Sequence, residues 1–420
     1  MFWYQQREPK FTPKQERILK KTEIDKKNPG PILHDFDALL AYISERDLRV
    51  TGKHQLPLKA LPEINQRLAQ PIEHGLQRPQ QKSYPPIHGL YLLVRASGLT
   101  YVDETGSKPY LLIDDDAYQD WRNLNPTEQY GALLESWLLR GNLEILGERS
   151  TGFHPIPNHF DRSLSFLTRI GDEGAQITGN KDIEYGITYT PGWHNLGLLM
   201  LFGCITVQQG APIEGEGWQI EHVDKTAFGQ ALFDLLYKDF FSDFDQFLAL
   251  EGEETLPFGI FQPMLKPYFP QWVKNPTRSE WTFREGAHIF KASLGKCRCR
   301  VALPADATLD WLASTILNAI SFDHGHLYEF SYQDHSGTRK HLNHPYMSEG
   351  PWADEVPLGD LPIRIGQSLT LLYDFGDSWR ISVTLEDVDT DMEIDEAVIL
   401  ASQGEPPEQY PDWNDEDEWE

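Results

Sequence analysis

Hydrophobic positions along the chain change period several times, and each change predicts an element. FDALLAYISERD (36–47) carries its apolar residues at helical spacing and predicts an amphipathic helix. LPLKALPEINQRLA (56–69) predicts a second helical segment broken by prolines. IHGLYLLVRASG (87–98) is apolar nearly all round, as a buried helix is, and ends on a glycine suited to a C-cap. LTYVDETGSKPYLLI (99–113) then reads as a hairpin with Gly106 at its tip. DDDAYQDWRNL is a short helix. NPTEQYGALLESWLLRG begins another, with Asn125 as N-cap, Pro126 at the first helical position and Glu128 at the third, a capping-box start. Helices, a two-stranded wing and a closing helix together predict a winged-helix-like domain over residues 32–142.

A second run follows the same logic. WHNLGLLMLFGCITVQQG (193–210) predicts a helix running into a strand, and GWQIEHVDKTAFGQALFDLLY (217–237) a strand followed by a helix begun at Thr226. Residues 141–192, rich in Gly, His, Pro and Asn, predict mixed helix and loop. The expected second domain is helical, spans 143–275 and has winged-helix-like patterning as its candidate architecture. Upstream, TPKQERILKKTEIDKK (12–27) predicts a short helix capped by Thr12, with Pro13 at its first position. Its apolar content is thin, so residues 1–31 read as a basic arm rather than as part of a core.

The last third contains LLYDFGDSWRISVTLED (371–387), two strand-like runs around Asp374-Phe375-Gly376-Asp377. Gly376 is expected to supply the positive φ of the turn, and the aspartates to bond nearby backbone N–H groups. Phe375 and Trp379 are expected beneath it, in a core with Phe330, Leu327 and Trp311.

Four segments carry a family resemblance in order: IFKASLGKCRCRVALPADATLDWLASTILNAI, FDHGHLYEF, LGDLPIRIGQSLTLLYDFGDSW and QGEPPEQYP. They resemble the opening strand, turn and helix, the DxHLxEF segment, the YDFGDxW motif and the closing GxxPxQYP of the plasmid pRiA4b ORF-3-like family. The resemblance covers roughly 281–411, and FGIFQPMLKPYFPQW upstream is similar to the lead-in of its long members. Two departures stand out. Only Arg300 of Cys297-Arg298-Cys299-Arg300 keeps the family pattern, and Pro406-Pro407-Glu408-Gln409-Tyr410 replaces the PPEDxGG ending of short members. The resemblance implies a compact α+β domain over 281–404, found on plasmids, in insertion elements as passenger genes, and in chromosomes. It implies no agreed reaction.

Composition narrows the function classes. At 420 residues, with 40% hydrophobic and 12% aromatic content, the chain can build more than one core. Its three cysteines give no disulfide framework, no run of about 18 apolar residues predicts a membrane span, and no signal peptide is recognised at the N-terminus. A cytoplasmic protein without membrane contact is expected. The net charge of −27 opposes broad phosphate binding. The charge is uneven: residues 1–31 hold eight Lys/Arg against four Asp/Glu, while the acidic tail, 405–420, holds eight Asp/Glu and no base.

Candidate chemistry is sparse. Asp374 and Asp377, with His326, form a candidate catalytic carboxylate–imidazole group. Cys297, Cys299, His324 and His326 match no standard zinc spacing, and Asp387-x-Asp389-x-Asp391 lacks the glycine and glutamate of a calcium loop, so no metal is expected. No nucleotide-loop, lipase-type or metalloprotease motif occurs, and no cofactor is expected. Arg49, Lys53, Lys59 and Arg67, ahead of the first wing, and Lys108 on it are candidate nucleic-acid contacts.

The expectation is thus an α+β protein in which two helical, winged-helix-like units precede the C-terminal domain. Its expected function is non-enzymatic binding, as an accessory or regulatory protein linked to mobile elements, with DNA or a protein as partner. A hydrolase or nuclease-like enzyme around Asp374, Asp377 and His326, and a pure interaction scaffold, are the alternatives.

Overall fold

A computed structural model describes residues 11–46, 48–106, 108–148, 158–243, 256–277, 281–335 and 337–410. Residues 1–10 of the basic arm and 411–420 of the acidic tail lie outside the described residues. The protein is α+β, with helices and sheets mixed along the chain. It divides into two compact units: Met1–Tyr101, Lys108–Arg278 and Ser336–Thr338 form the first, and Val102–Ser107, Ser279–His335 and Arg339–Glu420 the second.

The first unit opens with α1 (Pro13–Lys21), capped by Thr12 in a capping box with Gln15. This helix is not a free arm. Leu19 is fully buried, the Gln15 amide donates to Asp234, and Phe11 meets the Tyr268 ring edge-on at 5.7 Å. One apolar residue at the right helical position suffices to dock a helix that composition marks as polar.

Two topologically repeated modules follow. The first runs α2 (Ile32–Ser44), β1 (Leu48–Arg49), α3 (Ala60–Arg67), α4 (Pro85–Ala96), β2 (Thr100–Asp103) and β3 (Tyr110–Ile113). Its strands lie in the order β1-β3-β2. α5 (Asp115–Arg122) and α6 (Pro126–Glu135) come next, and α6 continues into a π turn, Ser136–Arg140. The second module runs α7 (His159–Arg169), β4 (Ala175–Gln176), α8 (Lys181–Ile187), α9 (Trp193–Leu201), β5 (Ile205–Gln209) and β6 (Ile220–Lys225), with strand order β4-β6-β5. It closes with α10 (Ala227–Leu236), which also passes into a π turn, Tyr237–Phe241.

The third helices of the two modules, α4 and α9, pack on each other. Every residue of α4 is buried, as is every residue of α9 from His194 onward. Two glycines allow the approach. A Cβ on Gly89 would stand 2.6 Å from Leu198 Cγ, and one on Gly197 would stand 2.8 Å from the Pro85 carbonyl. Trp137, in the π turn after α6, stacks on Phe202 at 5.1 Å and donates its indole N–H to Asn195 at 2.8 Å.

The capping residue Glu128 does more than cap. One of its oxygens accepts from the Asn125 N–H (2.9 Å), and the other from Val273 and Lys274 (3.1 and 2.7 Å). Seven residues on along the helix, Glu135 accepts from Gly259 and Phe261 (2.7 and 2.6 Å). These two buried carboxylates hold the segment that contains α11 (Gln262–Leu265). Burial pushes the Glu135 carboxyl up to about 7.

Three buried histidines meet where α4, α7 and α9 converge. His194 lies 6.1 Å from His88 and 5.4 Å from His159, ring to ring. His88 bonds Gln81, His159 bonds the Gly141 carbonyl, and His194 Nε2 is buried without a hydrogen-bond partner. Burial lowers all three, His88 and His159 to about 4, and the nearby cations Arg162 and Lys82 act in the same direction.

The second unit is a seven-stranded antiparallel sheet. Its strands are β7 (Ala287–Leu294), β8 (Cys297–Leu303), β9 (Tyr328–Gln333), β10 (Arg339–Asn343), β11 (Ser368–Tyr373), β12 (Trp379–Asp389) and β13 (Val398–Gln403), in the order β10-β9-β11-β12-β7-β8-β13. The helix α12 (Leu309–Ala319), capped by Thr308, covers the core face with Leu309, Leu312, Ala313 and Ile316. Cys297 and Cys299 alternate with exposed Arg298 and Arg300 along β8, so both thiols face the core. Burial pushes the Cys299 thiol up to about 11.

The expected aromatic core holds only in part. Phe330 is fully buried, and Trp379 is half-buried with its ring edge-on to Phe322 at 5.3 Å. Phe375 (44% exposed), Leu327 (39%) and Trp311 (38%) lie at the surface instead. Phe375 sits in the turn itself, where no opposing layer covers it. Trp311 lies on the solvent side of an amphipathic helix.

Gly197→Ala forces a Cβ onto backbone that cannot step aside, and should cost about 1–3 kcal/mol, the range for overpacking. Gly186→Ala, in α8 with no atom within 4 Å of the new Cβ, should gain up to about 1 kcal/mol from helix propensity. Denaturant midpoints of the two variants check both signs. The histidines set a pH dependence. Each has a folded pKa below its unfolded value of about 6.5, so its contribution is complete above that pH and is lost as pH falls toward 4. Glu135, raised on folding, works the opposite way between about 7 and 4.5. His194→Leu should therefore flatten the fall of unfolding free energy between pH 6.5 and 4.5 by up to about 1.4 kcal/mol per pH unit, as read from urea melts across that range.

Candidate functional site

The YDFGDSW segment forms the turn between β11 and β12, whose register pairs Tyr373 with Trp379. The left-handed positions in this turn are Asp374 (φ +56°) and Ser378 (φ +55°), rather than Gly376. An aspartate tolerates that conformation because its carboxylate can bond the backbone ahead of it. Asp374 Oδ1 accepts from the Gly376 N–H at 2.9 Å and from the Asp377 N–H at 3.4 Å. The main-chain N–H of Asp374 donates to Leu327 at 3.0 Å, tying the turn to the start of β9.

That tie brings His326 to Asp374. The imidazole Nδ1 stands 3.3 Å from Asp374 Oδ2, and Nε2 stands 2.9 Å from the Tyr410 hydroxyl. The Tyr410 O–H donates to Asp323. The other oxygen of Asp323 accepts from the Tyr373 hydroxyl (2.9 Å), the Gly325 N–H (3.1 Å) and the Gln409 amide (3.1 Å). Gln409 returns the bond by accepting from the Asp323 N–H at 2.8 Å. The result is a connected chain, Asp374–His326–Tyr410–Asp323, at one end of the sheet.

The electrostatics follow from these bonds. The Tyr410 hydroxyl, then the Gly325 N–H, hold the Asp323 carboxyl far below the usual carboxylate range. The hydrogen bond to Asp323, more than the charge of that carboxylate, pushes Tyr410 up to about 12. Tyr373 is also pushed up to about 12, by burial first and by its bond to Asp323 second. At neutral pH both phenols keep their protons and act as donors. Nε2 of His326 is engaged by a phenol that itself donates to the Asp323 carboxylate.

The predicted site residues distribute unevenly. His326 and Asp374 come together, while Asp377 is exposed, donates its N–H to Asp374 at 3.4 Å, and acts on Tyr410 through its charge. His324 bonds Asn318. The buried Cys297 and Cys299 face the core, whereas His324 is exposed and His326 half-buried. Among the described residues no group of three or more His, Cys, Asp or Glu is placed to hold a metal ion. Asp323, Tyr373, Gln409 and Tyr410 were not singled out from the sequence, although each lies within or beside one of the quoted motif segments.

Three separated motif segments, FDHGHLYEF, YDFGDSW and PPEQY, therefore build one site. Residues 295–413 match the Plasmid pRiA4b ORF-3-like protein family. The solved structure of MM3350, a protein of unknown function from Methanosarcina mazei Go1, is similar at 22% identity over 29% of this chain and 72% of its own, with a TM-score of 0.26. No curated protein matches the chain. Within the pRiA4b ORF-3-like segment, the Asp323 cluster fastens the closing PPEQY strip to the sheet end.

In the first unit the candidate nucleic-acid contacts do not share a helix face. Arg49 is exposed on β1, Lys53 in the following loop, Lys59 just before α3 and Lys108 beside the first hairpin. Arg67, on α3, forms a two-pronged pair with Glu45 (2.8 and 3.1 Å) and lies over the Tyr42 ring. Among the described residues no helix is long and apolar enough to cross a membrane.

Removing the hub tests this site. Asp323→Ala should raise amide exchange across residues 404–410 and bring the Tyr373 phenol back toward 10. Tyr410→Phe should raise exchange in the same strip by a smaller amount. Hydrogen-exchange mass spectrometry and an absorbance titration against a Tyr373→Phe reference check these outcomes. Unchanged exchange in Asp323→Ala would mean that the strip is held by something else.

Proposed function

We propose that this chain is a non-enzymatic binding protein that engages a protein partner. Its first unit would consist of two winged-helix modules fused through their third helices. The repeated order helix–strand–helix–helix–strand–strand supports the winged-helix reading, as does the repeated first–third–second strand arrangement. A winged-helix protein reads duplex DNA by laying its third helix into the major groove. The observation that carries the reading is the burial of both such helices against each other. A helix with no exposed residue cannot present side chains to base edges.

Charge supports the same conclusion. The chain carries −27 overall, and Arg67 is already paired with Glu45. The remaining candidate cations, Arg49, Lys53, Lys59 and Lys108, lie on a strand and in loops rather than on a helix that could enter the major groove. The committed phenols and occupied imidazole in the second unit support binding over hydrolysis. The plasmid in the matching family's name supports an accessory, regulatory role on mobile elements.

Fluorescence anisotropy with labelled duplex DNA tests this at 50 and 200 mM salt. Neither the protein nor an Arg49→Glu/Lys53→Glu/Lys59→Glu variant should bind appreciably. Binding that weakens steeply with salt and is lost in the variant would restore DNA as the partner, because each phosphate contact contributes a counterion-release step.

A further inference from the structure

The two edges of the seven-stranded sheet differ in how they are finished. β10 reads Arg339-Lys340-His341-Leu342-Asn343, a charged strand of the kind that discourages further pairing. At its end, residues 351–353 lie alongside it: the Asn343 N–H donates to the Pro351 carbonyl and the Ala353 N–H to the Asn343 carbonyl, each at 2.8 Å. β13 at the other edge is apolar, with one irregularity between Ile399 and Ala401 where its register on β8 shifts. It pairs with β8 on one side, and among the described residues no strand pairs with the other side. All six of its residues are exposed, including the consecutive aliphatics Val398 (39%), Ile399 (49%) and Leu400 (38%). An apolar strand with one edge open is a template for a further strand.

Charge decides which strand fits. Between Glu386 and Glu408 the chain carries nine acidic residues and no lysine or arginine. Glu393, Asp395 and Glu396 precede β13, and Glu405 and Glu408 follow it, all exposed. A second copy pairing antiparallel would set the acidic lead-in of one strand beside the acidic exit of the other, which is repulsive at both ends. The cations nearest by pairing are on β8. Arg298 lies opposite Gln403, and Arg300 is held by Glu386 at 2.7 Å. Neither lies on the open side of β13.

We infer that β13 is a docking edge for an extended segment of another protein, with an alternating apolar core and Lys or Arg at both ends. Main-chain bonds to β13 supply the affinity, the exposed aliphatics receive alternate side chains, and the acidic flanks select basic ends. This deepens the protein-binding reading, on a surface that the DNA titration does not probe.

The test uses the full chain and two labelled ten-residue peptides. Each has six alternating Thr and Val residues in the middle, with either two Lys or two Glu at each end. The Lys-flanked peptide should bind and weaken several-fold between 50 and 300 mM salt, and the Glu-flanked peptide should not bind. Ile399→Lys/Leu400→Lys should weaken binding at least tenfold. Glu396→Lys/Glu405→Lys, which leaves the strand itself untouched, should weaken it several-fold. No binding of the Lys-flanked peptide, or equal binding of both peptides, overturns the inference. So does self-association of the wild-type chain in sedimentation that Ile399→Lys abolishes, since a second copy would then occupy the edge.

Discussion

The close approach of α4 and α9 governs the first unit. Two helices come this near only where side chains are missing, and Gly89 and Gly197 supply the gaps. Once the helices meet, much else is decided. His88 and His194 are drawn into a dry interior, where burial holds them neutral. The helix after each module runs on into a π turn, and Trp137 in the first of these bonds Asn195 of the other module. The third helix of each module thus becomes the seam between the two.

The second unit uses a different device. Its sheet is closed by a helix on the core face, but the chemistry gathers at one end, where strand turns and the closing strip meet. Asp323 is exposed and strongly charged, and it organises this end with four donors. Such an arrangement resembles a catalytic relay in outline, because a carboxylate, an imidazole and a hydroxyl stand in line. Here the Tyr410 hydroxyl donates to a low-lying carboxylate and so ties the closing strip to the sheet end.

Much of this was legible in the sequence where a local rule acts alone. The Asn125 cap with its box partner Glu128, the Thr226 start of α10 and the glycine after α4 each obey a rule of a few residues, and each is present. The first strand of each module was missed, because two residues carry no alternation to detect. α1 reads as an arm in the sequence because one buried leucine does not make a periodic stripe. Gly376 is the expected left-handed residue of the turn, but Asp374 takes such a position by bonding the backbone ahead of it. In the site, the pairing of His326 with Asp374 was within reach of motif reasoning. The part played by Gln409 and Tyr410 was not, since nothing local says that a strip more than 80 residues from Asp323 folds back on it.

The docking of α1 on α10 has a consequence for biosynthesis. Gln15 and its partner Asp234 are separated by 219 positions. At typical elongation rates of about 5–20 residues per second, the receiving helix leaves the ribosome roughly 10–40 s after the helix it receives. Throughout that interval the Gln15–Asp234 bond cannot form, and the local support of α1 is its own capping box and its Glu16–Lys20 pair. The polar composition of this helix then has a purpose: a segment that waits unprotected beside a growing chain should attract as little wrong company as it can.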